Sequence, residues 1–169
     1  MISVKVNDRQ VLDVLNQMVG RAKNLRPAFA VIGEDLLETT KRRFNTATAP
    51  DGTPWAPNSA VTVARFLGTK ASNFKKDGSL SKAGQINISA KKPLTGETKS
   101  LQRTINYQLQ GSLSVSIGSP LVYAAMQQFG GTKSKFPNLW GDIPARPFLG
   151  ISPADKTNIL DILGTYLVD

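Results

Sequence analysis

The chain contains no cysteine and no histidine. Without cysteine there is no disulfide framework and no thiolate metal site. Without histidine neither a Ser-His-Asp nor a Cys-His triad can be assembled, so acid–base chemistry would rest on carboxylates, lysine or tyrosine. Long apolar runs are also missing: none approaches the roughly 18 residues that span a bilayer. The start, Met1-Ile2-Ser3-Val4-Lys5, has neither the basic head nor the apolar stretch of a secretory signal, which predicts residence in a cytoplasm. Acidic side chains are scarce, 12 against 21 Lys and Arg. A paired-carboxylate site is the common enzyme layout left open. Its candidates, Glu34, Asp35 and Glu38, face no second acidic cluster. Gly130-Gly131-Thr132-Lys133-Ser134 lacks the glycine spacing of a phosphate loop. No catalytic residue, cofactor or metal is expected.

What is present suits one globular domain spanning residues 1–169. Ile2 to Val6 alternate as a half-buried strand. Asn7 and Asp8 then turn the chain into a helix whose apolar face is Val11, Leu15, Met18 and Val19, with Gly20 as its stop. Pro27 opens a long second helix, to about Asn45, that buries Phe29, Ile32, Leu36, Leu37 and Phe44. Its acids come before Lys41, Arg42 and Arg43, an order that complements the helix dipole. Residues 46–93 have weak periodicity, with a turn at Asp51-Gly52-Thr53-Pro54. Residues 69–92 read as a flexible basic arm. A short helical turn follows within Glu97–Arg103. Alternation at Ile105, Tyr107 and Leu109, and at Leu113, Val115 and Ile117, predicts a β-hairpin closed at Gly111. Leu121 to Phe129 suits a short helix ended by Gly130-Gly131. Residues 132–146 form an extended excursion. Ser152, Pro153 and Asp155 then start a last helix with a capping box, burying Ile159, Ile162, Leu163, Tyr166 and Leu167. The fold class is α+β: an antiparallel sheet with helices packed on one face, a long central loop or arm, and an extended C-terminal excursion.

The net charge of +9 is confined to one region. Lys41 to Arg103 hold twelve basic and three acidic residues, and the rest of the chain has nine of each. Such a patch attracts polyanions, and it equally suits a solvated loop. Lys70, Lys75, Lys76 and Lys82 on the arm are the candidates for facing DNA or an acidic partner. No zinc-finger spacing or basic zipper is present, so contact with nucleic acid would be electrostatic, without base readout.

Four segments carry a resemblance. Tyr123-Ala124-Ala125-Met126-Gln127-Gln128-Phe129-Gly130-Gly131 and Ile143-Pro144-Ala145-Arg146-Pro147-Phe148-Leu149-Gly150-Ile151-Ser152 are the most specific. Phe44 followed by Pro50-Asp51-Gly52-Thr53-Pro54-Trp55-Ala56-Pro57 is the third, and Leu94-Thr95-Gly96 before a hairpin the fourth. In this order and spacing the chain resembles the phage virion morphogenesis, or tail-completion, family, with residues 69–92 its least family-like part. The resemblance implies a non-enzymatic virion subunit of the neck or tail. It would form a ring of copies, six by symmetry, around the DNA channel, contacting neighbouring neck or tail-tube proteins and no membrane. A free, non-sequence-specific DNA-binding protein using the basic middle third is the rival. Candidate assembly residues are Trp55, Tyr123, Phe129, Lys133, Lys135, Phe136, Trp140, Arg146 and Phe148, since exposed aromatics anchor interfaces. Core packing explains Trp55 and Trp140 equally well. Arg146, between two prolines, also suits hydrogen bonds to carbonyls of its own subunit.

Overall fold

A computed structural model describes residues 8–139 and 141–168. The expected strand at residues 2–6 and Trp140 lie outside the described residues. Asp8 caps α1 (Arg9–Ala22), its carboxylate accepting from the Gln10 and Val11 amides. The helix runs past Gly20, and Arg21 donates to the Leu167 carbonyl at 3.4 Å. Of the apolar face read in the sequence, Met18 is half-buried. Val11, Leu12, Val14, Leu15 and Val19 are exposed, because among the described residues α7 is the element that packs on this helix.

The long helix α2 (Arg26–Thr46) has proline in its first turn and ends at Ala47 in the left-handed region. Ala28, Ile32, Leu36 and Phe44 are buried, and Phe29 is half-buried. Helix α2 organises the molecule, packing against a β-hairpin and against α7. The hairpin pairs β1 (Asn106–Gln110) with β2 (Ser114–Gly118) in regular antiparallel register, from Asn106 opposite Gly118 to Gln110 opposite Ser114. Tyr107, Leu109, Val115 and Ile117 are half-buried, and Asn106, Gln108, Gln110, Ser114 and Ser116 are exposed. Gly33 permits this approach: a Cβ there would overlap the Tyr107 ring. The result is the expected α+β arrangement, a two-stranded antiparallel sheet with helices against it.

Residues 46–93, expected to be weakly patterned with a loop or arm at 69–92, contain two further helices, α3 (Ala60–Gly68) and α4 (Lys82–Ala90), joined by a 3₁₀ turn at Ala71–Asn73. Ser59 and Ser81 cap them with their hydroxyls. The unit combines a short apolar stripe on α3, half-buried Val63 and Phe66 with buried Leu67, and a buried polar side chain. Asn73 is buried, donates to the Leu67 carbonyl at 2.8 Å and accepts from Asn87 at 2.7 Å. A buried amide with its bonds made fixes a geometry that apolar contacts would leave loose.

The short α5 (Ser100–Thr104) leads into the hairpin, and α6 (Ala124–Phe129) follows it. The final α7 (Pro153–Val168) lies against α1 and α2, and its expected core residues are half-buried. The core is centred on Phe44, with Trp55 edge-on at 5.3 Å and Phe148 tilted at 5.5 Å between ring centroids.

Candidate assembly surface

The return segment from Arg146 to Ser152 is clasped from three sides. Arg43, near the end of α2, donates to the carbonyls of Phe148 at 3.0 Å and Gly150 at 2.8 Å. Its other terminal nitrogen meets the Asp155 carboxylate at 2.6 Å, the one ion pair among the described residues, with both side chains buried. Asp155 also accepts from the Ser152 amide at 2.7 Å, and the Ser152 hydroxyl accepts from the Asp155 amide at 3.1 Å, the reciprocal bonds of a capping box. Burial pushes the Asp155 carboxyl up, but the Ser152 bonds and the Arg43 charge outweigh it and hold the group below its ordinary value. Arg43 lies in the last turn of α2, where a cation complements the helix dipole, and it pairs with Asp155 as well; Glu34, Asp35 and Glu38 are no dipole partners, since α2 starts at Arg26 and has no acid in its first turn.

From the second side, Gln128 on α6 accepts from the Phe148 and Leu149 amides at 2.9 and 3.0 Å and donates to the Leu149 carbonyl at 3.0 Å. From the third, the Trp55 indole donates to the Pro147 carbonyl at 2.8 Å. Arg146 reaches back to the carbonyls of Ala56 and Pro57 at 2.8 and 2.7 Å, and burial lowers its pKa. Three of the motifs read in the sequence therefore meet at one place, with Leu94-Thr95-Gly96 along the wall of an adjoining open cleft of about 610 Å³. Lys91 supports that wall, its ammonium 5.1 Å from the Phe66 ring centre and bonded to the Thr95 carbonyl.

This placement divides the candidate residues. Trp55, Arg146 and Phe148 are buried within the subunit, where their bonds and packing hold the return segment. Tyr123, Phe129, Lys133, Lys135 and Phe136 are exposed. The excursion that carries Lys133, Lys135 and Phe136 closes at its base by a two-way bridge between Gly131 and Ile143, each bond 2.8 Å. Gly130 makes the closure possible: its φ is +72°, and a Cβ would stand 2.7 Å from the Ala145 nitrogen. Lys70, Lys75, Lys76 and Lys82 are all exposed, around the α3–α4 connection, and none has an ion-pair partner among the described residues.

Sequence reasoning missed Val122, which is 97% exposed and more open even than Phe129 at 77%. A signal for it was available. No charged residue occurs between Arg103 and Lys133, in a chain that is 20% charged. This stretch holds the hairpin, Val122, Tyr123 and all of α6. Charge depletion marks the centre of protein interfaces more reliably than hydrophobicity does.

The phage virion morphogenesis family matches the chain over residues 6–168. The putative capsid assembly protein G of Escherichia phage Mu is 43% identical to it over 47 residues, 28% of this chain and 30% of the phage Mu protein. The match thus spans under a third of that relative's length. No solved structure matches the chain.

Proposed function

Because the chain belongs to the phage virion morphogenesis family, we propose that it is a structural subunit of a tailed-phage particle that acts in tail completion and head–tail joining. In this reading identical copies form a ring around the DNA channel, a hexamer by the symmetry of the junction, and contact neighbouring neck or tail-tube proteins. The observation that carries it is the uncharged stretch between Arg103 and Lys133, with Val122, Tyr123 and Phe129 in solvent. Side chains of this kind gain from being covered, at about 25 cal/mol per Å² of apolar surface removed from water. The exposed side of α1 offers a second surface of the same character. The rigid clasp around Arg146 to Ser152 supports the reading, since it fixes α6 and the excursion to the core that presents them.

The test is particle production without this protein. Separate heads and tails in negative-stain images are the expected result. Joined, infectious particles at normal yield would refute the assignment.

Lys70, Lys75, Lys76 and Lys82, exposed and without an ion-pair partner among the described residues, favour a second element of the reading, electrostatic contact with channel DNA. Each phosphate contact adds about 0.9 to the slope of log affinity against log salt. Changing all four lysines to Gln should lower that slope for duplex DNA by up to about 3–4 and leave the melt unchanged. An unaltered slope would remove DNA from the partners of this patch.

A further inference from the structure

The hairpin is a two-stranded sheet whose outer edges pair with nothing among the described residues. Open edges expose unpaired N–H and C=O groups, and proteins ordinarily blunt them with charge, proline, bulges or a covering element. Among the described residues this hairpin has none of those guards. Residues 106–118 contain no charged residue and no proline. The register is continuous through all five pairs, with no bulge. The solvent side is Asn106, Gln108, Gln110, Ser114 and Ser116, short or amide side chains that admit a neighbouring strand. One face already rests on α2, so an added strand would extend a supported sheet.

We propose that the hairpin is the seam between successive copies of this chain: the outer edge of β1 in one copy pairs with the outer edge of β2 in the next. The occupant is a second copy because the hairpin presents two different edges on one rigid body. Each copy can offer one edge and accept at the other. Such a heterologous contact propagates from copy to copy and closes into a ring when the rotation allows. Main-chain hydrogen bonds hold the seam, and the absence of charge removes repulsion along it. The inference rests on the reading of the chain as a repeated virion subunit and specifies how the repeats join.

The lack of cysteine makes a clean cross-linking experiment possible. Single variants Asn106→Cys, Gln108→Cys and Gln110→Cys on β1 are each mixed one to one with Ser114→Cys or Ser116→Cys on β2. The mixtures are oxidised in purified particles and as concentrated protein. Facing residues on neighbouring strands are about 4.5–5.5 Å apart at Cα, within the span of a disulfide. The three β1 positions cover the unknown register. One β1–β2 combination should give an intermolecular disulfide at up to about a quarter of interfaces, since each needs one variant of each kind in the right order. Each single variant alone should give none. These positions are exposed, so melts should match the parent.

Three results would overturn the proposal. One is no intermolecular disulfide in any mixture, in particles and in concentrated protein alike. Another is self-linking of a β1 variant, which would mean a two-fold pair of like edges. The third is an intrachain disulfide in the double variant Ser3→Cys with Gln108→Cys, which would mean that the chain's own start fills the edge. Failure of the virion assignment would read differently, as absence of the protein from purified particles.

Discussion

Removing the Asp155 carboxylate should be among the most damaging single changes to this protein. Asp155→Ala leaves the Arg43 guanidinium buried and protonated with no counter-charge, and it strips the Ser152 amide of its acceptor. Breaking a buried pair from one side costs about 3–5 kcal/mol. For a chain of this size each kcal/mol moves the melting temperature by about 2–4 °C, so a fall of about 6–20 °C is expected. The whole domain is stable by about 5–15 kcal/mol, and the variant should therefore be partly unfolded in warm solution. Asp155→Asn isolates the charge. The wild-type carboxyl is held below its ordinary value of 3.8 in the folded state. Its contribution to stability is therefore complete above that value. It declines as pH falls below 3.8, where the unfolded chain takes up a proton that the folded chain refuses. It is gone once pH passes below the folded pKa. The Asn variant should melt lower than wild type at pH 6, and the gap should narrow on acidification. The double variant Arg43→Met with Asp155→Leu removes both charges, although the Phe148 and Gly150 carbonyls lose their donor. It should melt above the temperature expected from adding the two single losses. Thermal melts followed by circular dichroism at several pH values decide the matter. A melting temperature of Asp155→Ala within about 2 °C of wild type, or strict additivity in the double variant, would refute the view that this pair clamps the return segment.

Gly130→Ala should destabilise the base of the excursion by about 1–3 kcal/mol or more, because its φ is +72° and the new methyl meets the Ala145 backbone; a urea melt checks this. Asn73→Ala should loosen α3 and α4 while sparing α2, visible as faster amide exchange confined to residues 60–90, and uniform exchange would contradict the local role of that amide. Val122→Ser with Phe129→Ser should leave the melt within about 0.5 kcal/mol of wild type for each change, as exposed positions do, and should lower the yield of joined particles. Normal yield would remove this end of α6 from the assembly surface.

Much of the fold was written in local pattern. The strict alternation of residues 105–109 and 113–117 left little but a hairpin, and Gly111 at φ +67° closes it. Ser152, Pro153 and Asp155 spelled the start of α7, and both reciprocal bonds are present. The motifs around Trp55, Tyr123 and Arg146 were sufficient to indicate the family. All of these depend on residues a few positions apart, whose backbone preferences act before any distant contact forms.

What stayed hidden depends on distance along the chain. Arg43 looked like a cation at a helix end. Its role as the partner of Asp155 exists only because α2 and α7 lie side by side with the return segment between them. Asn73 looked like one more polar residue in a loop, and it is a buried bolt between two helices. Trp55, Arg146 and Phe148 could be read as surface anchors until packing placed them inside the subunit. The apolar face of α1 shows the same periodicity as that of α2, yet α2 is buried and most of the α1 face is exposed. Periodicity says which side of a helix is apolar, and only the tertiary arrangement decides whether this subunit covers that side or leaves it to a neighbour.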